Sequence, residues 1–140
     1  MTKGEYQLTD ALQLMLSRGE KITTFLVDGW LDCGKPETLL STNRYLLDKM
    51  KSTVSRDNVV VIPPVYISDD AKIVHSVIGP YTTIARGAVV EHSIIRDSII
   101  SECAQVSQSL LERSIVGVNT VVHGSFKRIN IGDSSEIEYY

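Results

Sequence analysis

A regular spacing of aliphatic residues constrains the fold of this chain more than any other feature. From Ile67 to Val122 an aliphatic residue recurs every five or six positions, and three successive steps sum to 16 or 17 residues. An α-helix cannot keep such a series on one face, and the series is not the simple alternation of a strand. Three short sides per turn, each with one inward aliphatic residue, predict a triangular parallel β-helix of about four turns. The positions are 67, 73, 78, 84, 90, 95, 100, 106, 111, 116 and 122.

Five tetrads within this repeat share a small residue before two aliphatic residues, and a turn-forming residue often follows. We interpret them as repeated corners, because stacked turns hide each apolar side and pair the backbone groups. The regular spacing stops at residues 123–128, where we expect a protruding loop, and it resumes at 131–137. The tetrads are Ser76-Val-Ile-Gly79, Ser93-Ile-Ile-Arg96, Ser98-Ile-Ile-Ser101, Ser109-Leu-Leu-Glu112 and Ser114-Ile-Val-Gly117.

The first 54 residues have a different, mixed pattern. Helical spacing of apolar residues predicts a helix over 7–18, ended by Gly19, and a second helix that Pro36 opens. The β-branched and aromatic residues of 22–27 predict a strand between them. One strand between two helices cannot form a sheet, so we predict that 1–54 is a piece of a larger α/β domain. Residues 55–140 are predicted to form the β-helix domain.

Composition narrows the classes of function. The net charge of −3 argues against a nucleic-acid-binding face and a polybasic membrane anchor. The hydrophobic fraction of 43% is enough to build a core and argues against disorder. The two cysteines, Cys33 and Cys103, form no CxxC pair, so we expect a reduced, cytoplasmic protein. The nine glycines include no GxG or GK[ST] arrangement, so no phosphate-cradling loop is expected within these residues.

Two short motifs lie in the first segment, Gly4-Glu5-Tyr6-Gln7-Leu8-Thr9-Asp10 and Gly29-Trp30-Leu31-Asp32-Cys33-Gly34. In this order, and followed by the hexapeptide-like repeat, they resemble the sugar-1-phosphate nucleotidyltransferases, in particular the long-form glucose-1-phosphate thymidylyltransferases. The resemblance covers the whole chain and implies a left-handed β-helix behind a catalytic domain. Handedness is implied by the resemblance alone, because the general rule for parallel crossovers favours the right hand.

The resemblance implies a reaction between a nucleoside triphosphate and a sugar 1-phosphate that yields a nucleotide-sugar and pyrophosphate. The first candidates for the two substrates are dTTP and glucose 1-phosphate. The family's Gly-rich loop and second metal-binding carboxylate are absent from this sequence, so the chain resembles a C-terminal portion. Without the N-terminal catalytic domain we expect the fragment to be inactive. Mg²⁺ is the implied cofactor of the intact enzyme, and the fragment alone is not expected to bind it stably.

The resemblance also assigns roles to four residues. Asp32 is implied as a metal ligand, which suits the preference of Mg²⁺ for hard oxygen donors; the alternative is an aspartate that stabilises a turn before Gly34. Glu5, Thr9 and Trp30 are implied as substrate-binding residues at the sugar. Alternatively, Thr9 caps a helix, Trp30 packs in a core and Glu5 is solvated.

Two departures from the family pattern affect the Asp32 motif. Cys33 stands where a threonine is usual, and Lys35 stands where a helix-capping serine or threonine is common. The aspartate itself is kept. We therefore expect the local geometry to differ more than the role.

The histidines and the flat sides of the repeat suggest two alternative functions. A hexapeptide-repeat acyltransferase would use His75, His92 or His123 as a general base, whereas exposed corner residues would have no such role. His75 and His92 are 17 residues apart, so they are expected to stack on adjacent turns. The β-helix would otherwise be a structural assembly module. In either case we expect a homo-oligomer, a dimer or trimer, through the β-helix.

Overall fold

The computed structural model describes residues 7–50 and 56–124. Its contacts divide the chain into two compact units, Met1–Trp30 and Leu31–Tyr140. Three parts of the sequence prediction lie outside the described residues. They are the domain boundary after residue 54, the residue Glu5, and the part of the loop and of the resumed repeat beyond residue 124. None of the helices found in the described ranges combines the length and the apolar character needed to cross a membrane.

The first unit contains helix α1 (Leu8–Ser17), which confirms the helix predicted over 7–18. None of its residues is buried, because α1 is the one regular element in the described part of this unit. The strand predicted over 22–27 does not form, and Phe25 and Leu26 are 86% and 100% exposed. A strand needs a neighbour to accept and donate its backbone hydrogen bonds, and the described residues of this unit supply none.

The second unit contains helix α2 (Pro36–Lys49) and a β-solenoid. Within residues 56–124 the solenoid has four turns of three short strands, and each strand pairs in parallel with its equivalent one turn away. Sheet I contains β1, β4, β7 and β10; sheet II contains β2, β5, β8 and β11; sheet III contains β3, β6, β9 and β12. The bounds are β1 Val59–Val61, β2 Val65–Ile67, β3 Lys72–Val74, β4 Ser76–Ile78, β5 Thr82–Ile84, β6 Val89–Glu91, β7 Ile94–Arg96, β8 Ile99–Ile100, β9 Gln105–Ser107, β10 Leu110–Glu112, β11 Ile115–Val116 and β12 Val121–His123.

The core of the solenoid is the aliphatic series that the sequence predicts to point inward. Paired residues are 17 apart in the early turns, as in Val65 and Thr82, and 16 apart in the later ones, as in Ile99 and Ile115. Leu111 and Val122 are partly buried against the core. The remaining members of the series are all buried: Ile67, Ile73, Ile78, Ile84, Val90, Ile95, Ile100, Val106 and Val116. The mainly β fold and the solenoid of about four turns are therefore confirmed.

Serines hold the corner between sheets III and I. Ser93 Oγ donates to the carbonyl of Glu91 at 2.7 Å and accepts the backbone N–H of Ser109 at 3.1 Å. Ser76 makes the same two contacts one turn earlier, to Val74 O and Ser93 N. Each buried hydroxyl thus satisfies a carbonyl of its own turn and an amide of the next. This arrangement explains why the tetrads begin with a small polar residue.

The corners also place side-chain-bearing residues in the left-handed backbone region. At the corner between sheets I and II, Tyr81, Asp97 and Arg113 stack with φ of 59°, 48° and 50°. At the corner between sheets III and I, His75 and His92 have φ of 46° and 48°. Asp and His tolerate this region better than most residues do. The backbone therefore turns sharply here without a glycine in every turn.

Candidate functional site

The Asp32 carboxylate closes a tight turn at the start of the second unit. Its Oδ1 accepts the backbone N–H of Gly34 at 2.9 Å, which is the turn-stabilising role considered for this residue. A Cβ on residue 34 would lie 3.1 Å from that oxygen, so glycine leaves room for the carboxylate. Asp32 is exposed, and this turn leaves its carboxylate accessible to a ligand from solution.

Helix α2 begins directly after this turn and is capped without a serine or threonine at Lys35. The Lys35 backbone N–H donates to Thr38 Oγ1 at 3.2 Å, and the Thr38 hydroxyl donates back to the Lys35 carbonyl at 3.0 Å. Cys33 Sγ lies 3.5 Å from Thr42 Oγ1. Cys33 and Lys35, the two departures from the family pattern, thus both contact threonines of α2.

The predicted substrate-binding residues lie in the first unit. Trp30 is 86% exposed in this structure. Thr9 is exposed in the first turn of α1; the helix begins at Leu8 with Gln7 as N-cap, so the capping role considered for Thr9 is wrong. Glu5 lies outside the described residues. Asp32 belongs to the second unit.

The turn offers one carboxylate, that of Asp32, which could contribute to a magnesium site. Mg²⁺ usually takes one or two carboxylates and completes its shell with substrate phosphates and water. Asp32 can supply one such hard oxygen ligand. Among the described residues there is no group of three or more His, Cys, Asp or Glu side chains that could hold a metal ion.

The sequence did not predict the contact that fastens α2 to the solenoid. Arg44 Nε donates to Asp97 Oδ1 at 2.6 Å, and a second guanidinium nitrogen donates to Oδ2. The hydrogen bonds to Asp97, and then its charge, raise the pKa of Arg44. The Asp97 side chain is only 12% exposed, against 48% for Arg44. Because the two residues are 53 positions apart, no local pattern could indicate the pair.

Three further contacts accompany this ion pair. Thr83 donates its hydroxyl to Asn43 Oδ1 at 2.6 Å, and Asn43 Nδ2 donates to the Tyr81 carbonyl at 3.2 Å. A side-chain hydrogen bond with Asp48, and then the charge of Asp48, raises the pKa of Tyr81 above its ordinary 10.0. Leu40 and Leu47 are buried on the same helix. The C-terminal half of α2 is therefore held on the solenoid by both polar and apolar contacts.

The histidines line an exposed edge of the solenoid. The rings of His75 and His92 lie 5.2 Å apart between centroids, tilted by 41°, which confirms that they stack on adjacent turns. His123 Nδ1 lies 2.7 Å from Ser107 Oγ on the neighbouring strand. All three histidines are exposed, as expected for corner and edge positions.

Curated proteins align with nearly the whole chain. A glucose-1-phosphate thymidylyltransferase of Streptomyces griseus is 26% identical, over 97% of this chain and 46% of that protein. The low-salt glycan biosynthesis nucleotidyltransferase Agl11 of Haloferax volcanii is 31% identical, over 97% of this chain and 46% of its own length. The chain is related to the sugar-1-phosphate nucleotidyltransferases.

The relationship to these nucleotidyltransferases confirms the resemblance carried by the two motifs and the repeat. A bifunctional protein GlmU of Halalkalibacterium halodurans is 30% identical over 96% of the chain and 30% of that protein. The chain thus spans about half the length of the thymidylyltransferase and of Agl11, and 30% of the length of GlmU. No family model matches the chain, and no solved structure matches it significantly.

Proposed function

We propose that this chain is part of an enzyme that joins a nucleoside triphosphate and a sugar 1-phosphate, releasing pyrophosphate and forming a nucleotide-sugar. The observation that carries the proposal is the alignment of 97% of the chain with a thymidylyltransferase and with a second nucleotidyltransferase. Glucose 1-phosphate and dTTP are the proposed substrates. The 140-residue chain is proposed to be inactive alone, because it contains no phosphate-binding loop.

In this proposal Asp32, Gly34 and Trp30 of the Asp32 motif have defined tasks. Asp32 supplies one carboxylate to Mg²⁺, with the remaining donors from the substrate phosphates and a second carboxylate. Mg²⁺, when held there, would supply positive charge that neutralises the transferred phosphate and the leaving pyrophosphate. The turn that Gly34 closes fixes the direction of the Asp32 carboxylate. Glu5, Thr9 and Trp30 are proposed to contact the sugar.

We further propose that the solenoid assembles subunits. Its sheet I presents an outward apolar column, because parallel pairing places Val60, Val77, Ile94 and Leu110 in register. Leu110 is 79% exposed, Val60 58% and Ile94 46%. A contiguous exposed apolar surface of this kind is typical of an interaction face. The proposed occupant is the sheet I face of other copies of this chain: two such faces packed together give a dimer, and three that meet around a three-fold axis give a trimer.

The test uses the natural gene product that contains this chain at its full length. With dTTP, glucose 1-phosphate and Mg²⁺ we expect pyrophosphate release, and Asp32→Asn should lower kcat by on the order of 100-fold. Asp28→Asn is the matched control, since Asp28 is an exposed aspartate four positions earlier. Full activity of Asp32→Asn, or pyrophosphate release by the 140-residue chain alone, would contradict the proposal.

One observation favours acyl transfer as a second candidate. The 2.7 Å contact between Ser107 Oγ and His123 Nδ1 shows that an imidazole on this edge can reach a hydroxyl, as a general base must. The assay is acyl transfer from an acyl-coenzyme A to a hydroxyl or amine acceptor. Transfer that survives replacement of His75, His92 and His123 together would exclude this mechanism.

A further inference from the structure

The two ends of α2 have different partners. At its N-terminal end, the Thr38 side chain accepts the backbone N–H of Lys35, which directly follows the Asp32–Gly34 turn. Toward its C-terminal end, Arg44 pairs with Asp97 of the solenoid. Eight residues separate Pro36 from Arg44, which is about 12 Å along a helix axis. A helix of this length transmits a displacement of one end to the other almost rigidly.

We infer that Arg44 and Asp97 are positioning residues for Asp32. The pair fixes α2 on the corner between sheets I and II, and the capped start of α2 then fixes the turn that carries the Asp32 carboxylate. The role of Asp32 rests on the proposed function, but the mechanical link between the solenoid and this turn does not. The solenoid thereby acts on the candidate metal ligand as well as on subunit assembly.

The character of the Arg44–Asp97 pair supports this role. Three ion pairs occur among the described residues, and the other two, Arg86–Glu102 and Arg96–Glu112, join neighbouring turns of the solenoid. In those two pairs every side chain is 51–70% exposed, so water and salt weaken them. The Asp97 carboxylate is largely shielded and accepts two bonds from one guanidinium, which fixes orientation as well as distance.

Loss of the Arg44–Asp97 pair should therefore increase local opening at the Asp32 turn rather than destabilise the whole fold. The variants Arg44→Met and Asp97→Asn each remove it, and asparagine tolerates the left-handed backbone of residue 97. Arg96→Met is the matched control, because it removes an arginine–carboxylate pair that does not involve α2. Arg44→Lys keeps the charge but loses the two-pronged geometry, so it should restore the wild-type behaviour only in part.

The measurement is amide hydrogen exchange by NMR on the 140-residue chain. We expect exchange at Gly34 and Leu39 to quicken roughly fivefold or more in Arg44→Met and Asp97→Asn, since local opening sets these rates. Exchange at Val89 and Ile94, whose amides bond to the neighbouring turn, should stay unchanged. Arg96→Met should leave Gly34 and Leu39 at the wild-type rate.

The outcomes separate this inference from the proposed function. Unchanged exchange at Gly34 and Leu39 in both variants would overturn the positioning role, and so would equal acceleration at all four amides, which indicates global destabilisation. Either result leaves nucleotidyl transfer untouched. Conversely, faster exchange at the turn together with full activity of Asp32→Asn in the complete enzyme would uphold the link and refute the proposed metal role.

Discussion

Arg44 on helix α2 and Asp97 on a solenoid corner are joined by two hydrogen bonds across 53 residues of sequence. Asp97 has φ of 48°, so its backbone turns sharply while its carboxylate faces the helix. One residue thus serves the corner of the solenoid and the attachment of the helix. A glycine at this position would suit the backbone but would leave the guanidinium without its partner.

The serine ladder should be sensitive to removal of a single hydroxyl. Ser93→Ala deletes an Oγ that bonds to Glu91 O and to Ser109 N, and both serines are buried. We expect a loss of about 1–3 kcal/mol in the free energy of unfolding, the usual cost of buried polar groups left without partners. Urea denaturation measures it. Ser114→Ala, at a more exposed corner, should cost less, and an equal loss would contradict the ladder.

Two adjacent isoleucines on β7 provide a test of the inward series. Ile95 is fully buried, whereas Ile94 is 46% exposed on the outer face. Ile95→Ala should lower the free energy of unfolding by about 2–5 kcal/mol, through lost apolar contact and the cavity left behind. Ile94→Ala should change it by less than about 1 kcal/mol when unfolding is measured on dilute protein. The reverse order would mean that the register of sheet I is shifted by one residue.

The bond between Tyr81 and Asp48 predicts a dependence on alkaline pH. The folded-state pKa of Tyr81 is raised above 10.0, so its stabilising contribution is present below pH 10.0 and is lost as the pH rises through the folded value. Wild type should therefore exceed Tyr81→Phe in Tm near neutral pH, and this advantage should vanish as the phenol ionises. Thermal unfolding at several pH values measures the difference. An advantage that persists at the highest pH would disprove the assignment.

The apolar column of sheet I should control self-association. Leu110→Lys places a charge on the most exposed member of the column, at its β10 end, and is expected to convert the proposed dimer or trimer to a monomer. Val121→Lys on sheet III is the control, because Val121 is 66% exposed on a different face. Light scattering over a range of protein concentrations distinguishes the species. A wild-type monomer at roughly tens of micromolar, near weak-dimer affinity, would refute the assembly proposal.

The solenoid was predictable because its core repeats. Each turn depends on its neighbours in the same way, so an inward residue such as Ile84 or Ile100 carries information about every turn. The turn between Asp32 and Gly34 was also predictable, as the alternative to a metal ligand. An aspartate two residues before a glycine can accept the hydrogen bond of the glycine amide locally. Local or periodic interactions can be recognised in the chain itself.

Other features depend on partners that no local pattern specifies. Residues 22–27 have strand-forming side chains, but Phe25 and Leu26 stay exposed because β propensity reflects packing against neighbouring strands. The attachment of α2 depends on Arg44 meeting Asp97, and only the folded solenoid determines where Asp97 lies. The helix that Pro36 opens was predicted, but the polar contacts that attach it to the solenoid were not.

The change from 17 to 16 residues per turn has a consequence for how such a chain can vary. Ile78 pairs with Ile95 at a spacing of 17, but Ile84 pairs with Ile100 at 16, so the extra residue sits in the corner after Ile78. A side chain on Gly79 at that corner would meet the Ile62 carbonyl at 2.0 Å, and its φ is +105°. Among the described turns, a difference of one residue is therefore accommodated at this corner, while all three sheets keep their alignment.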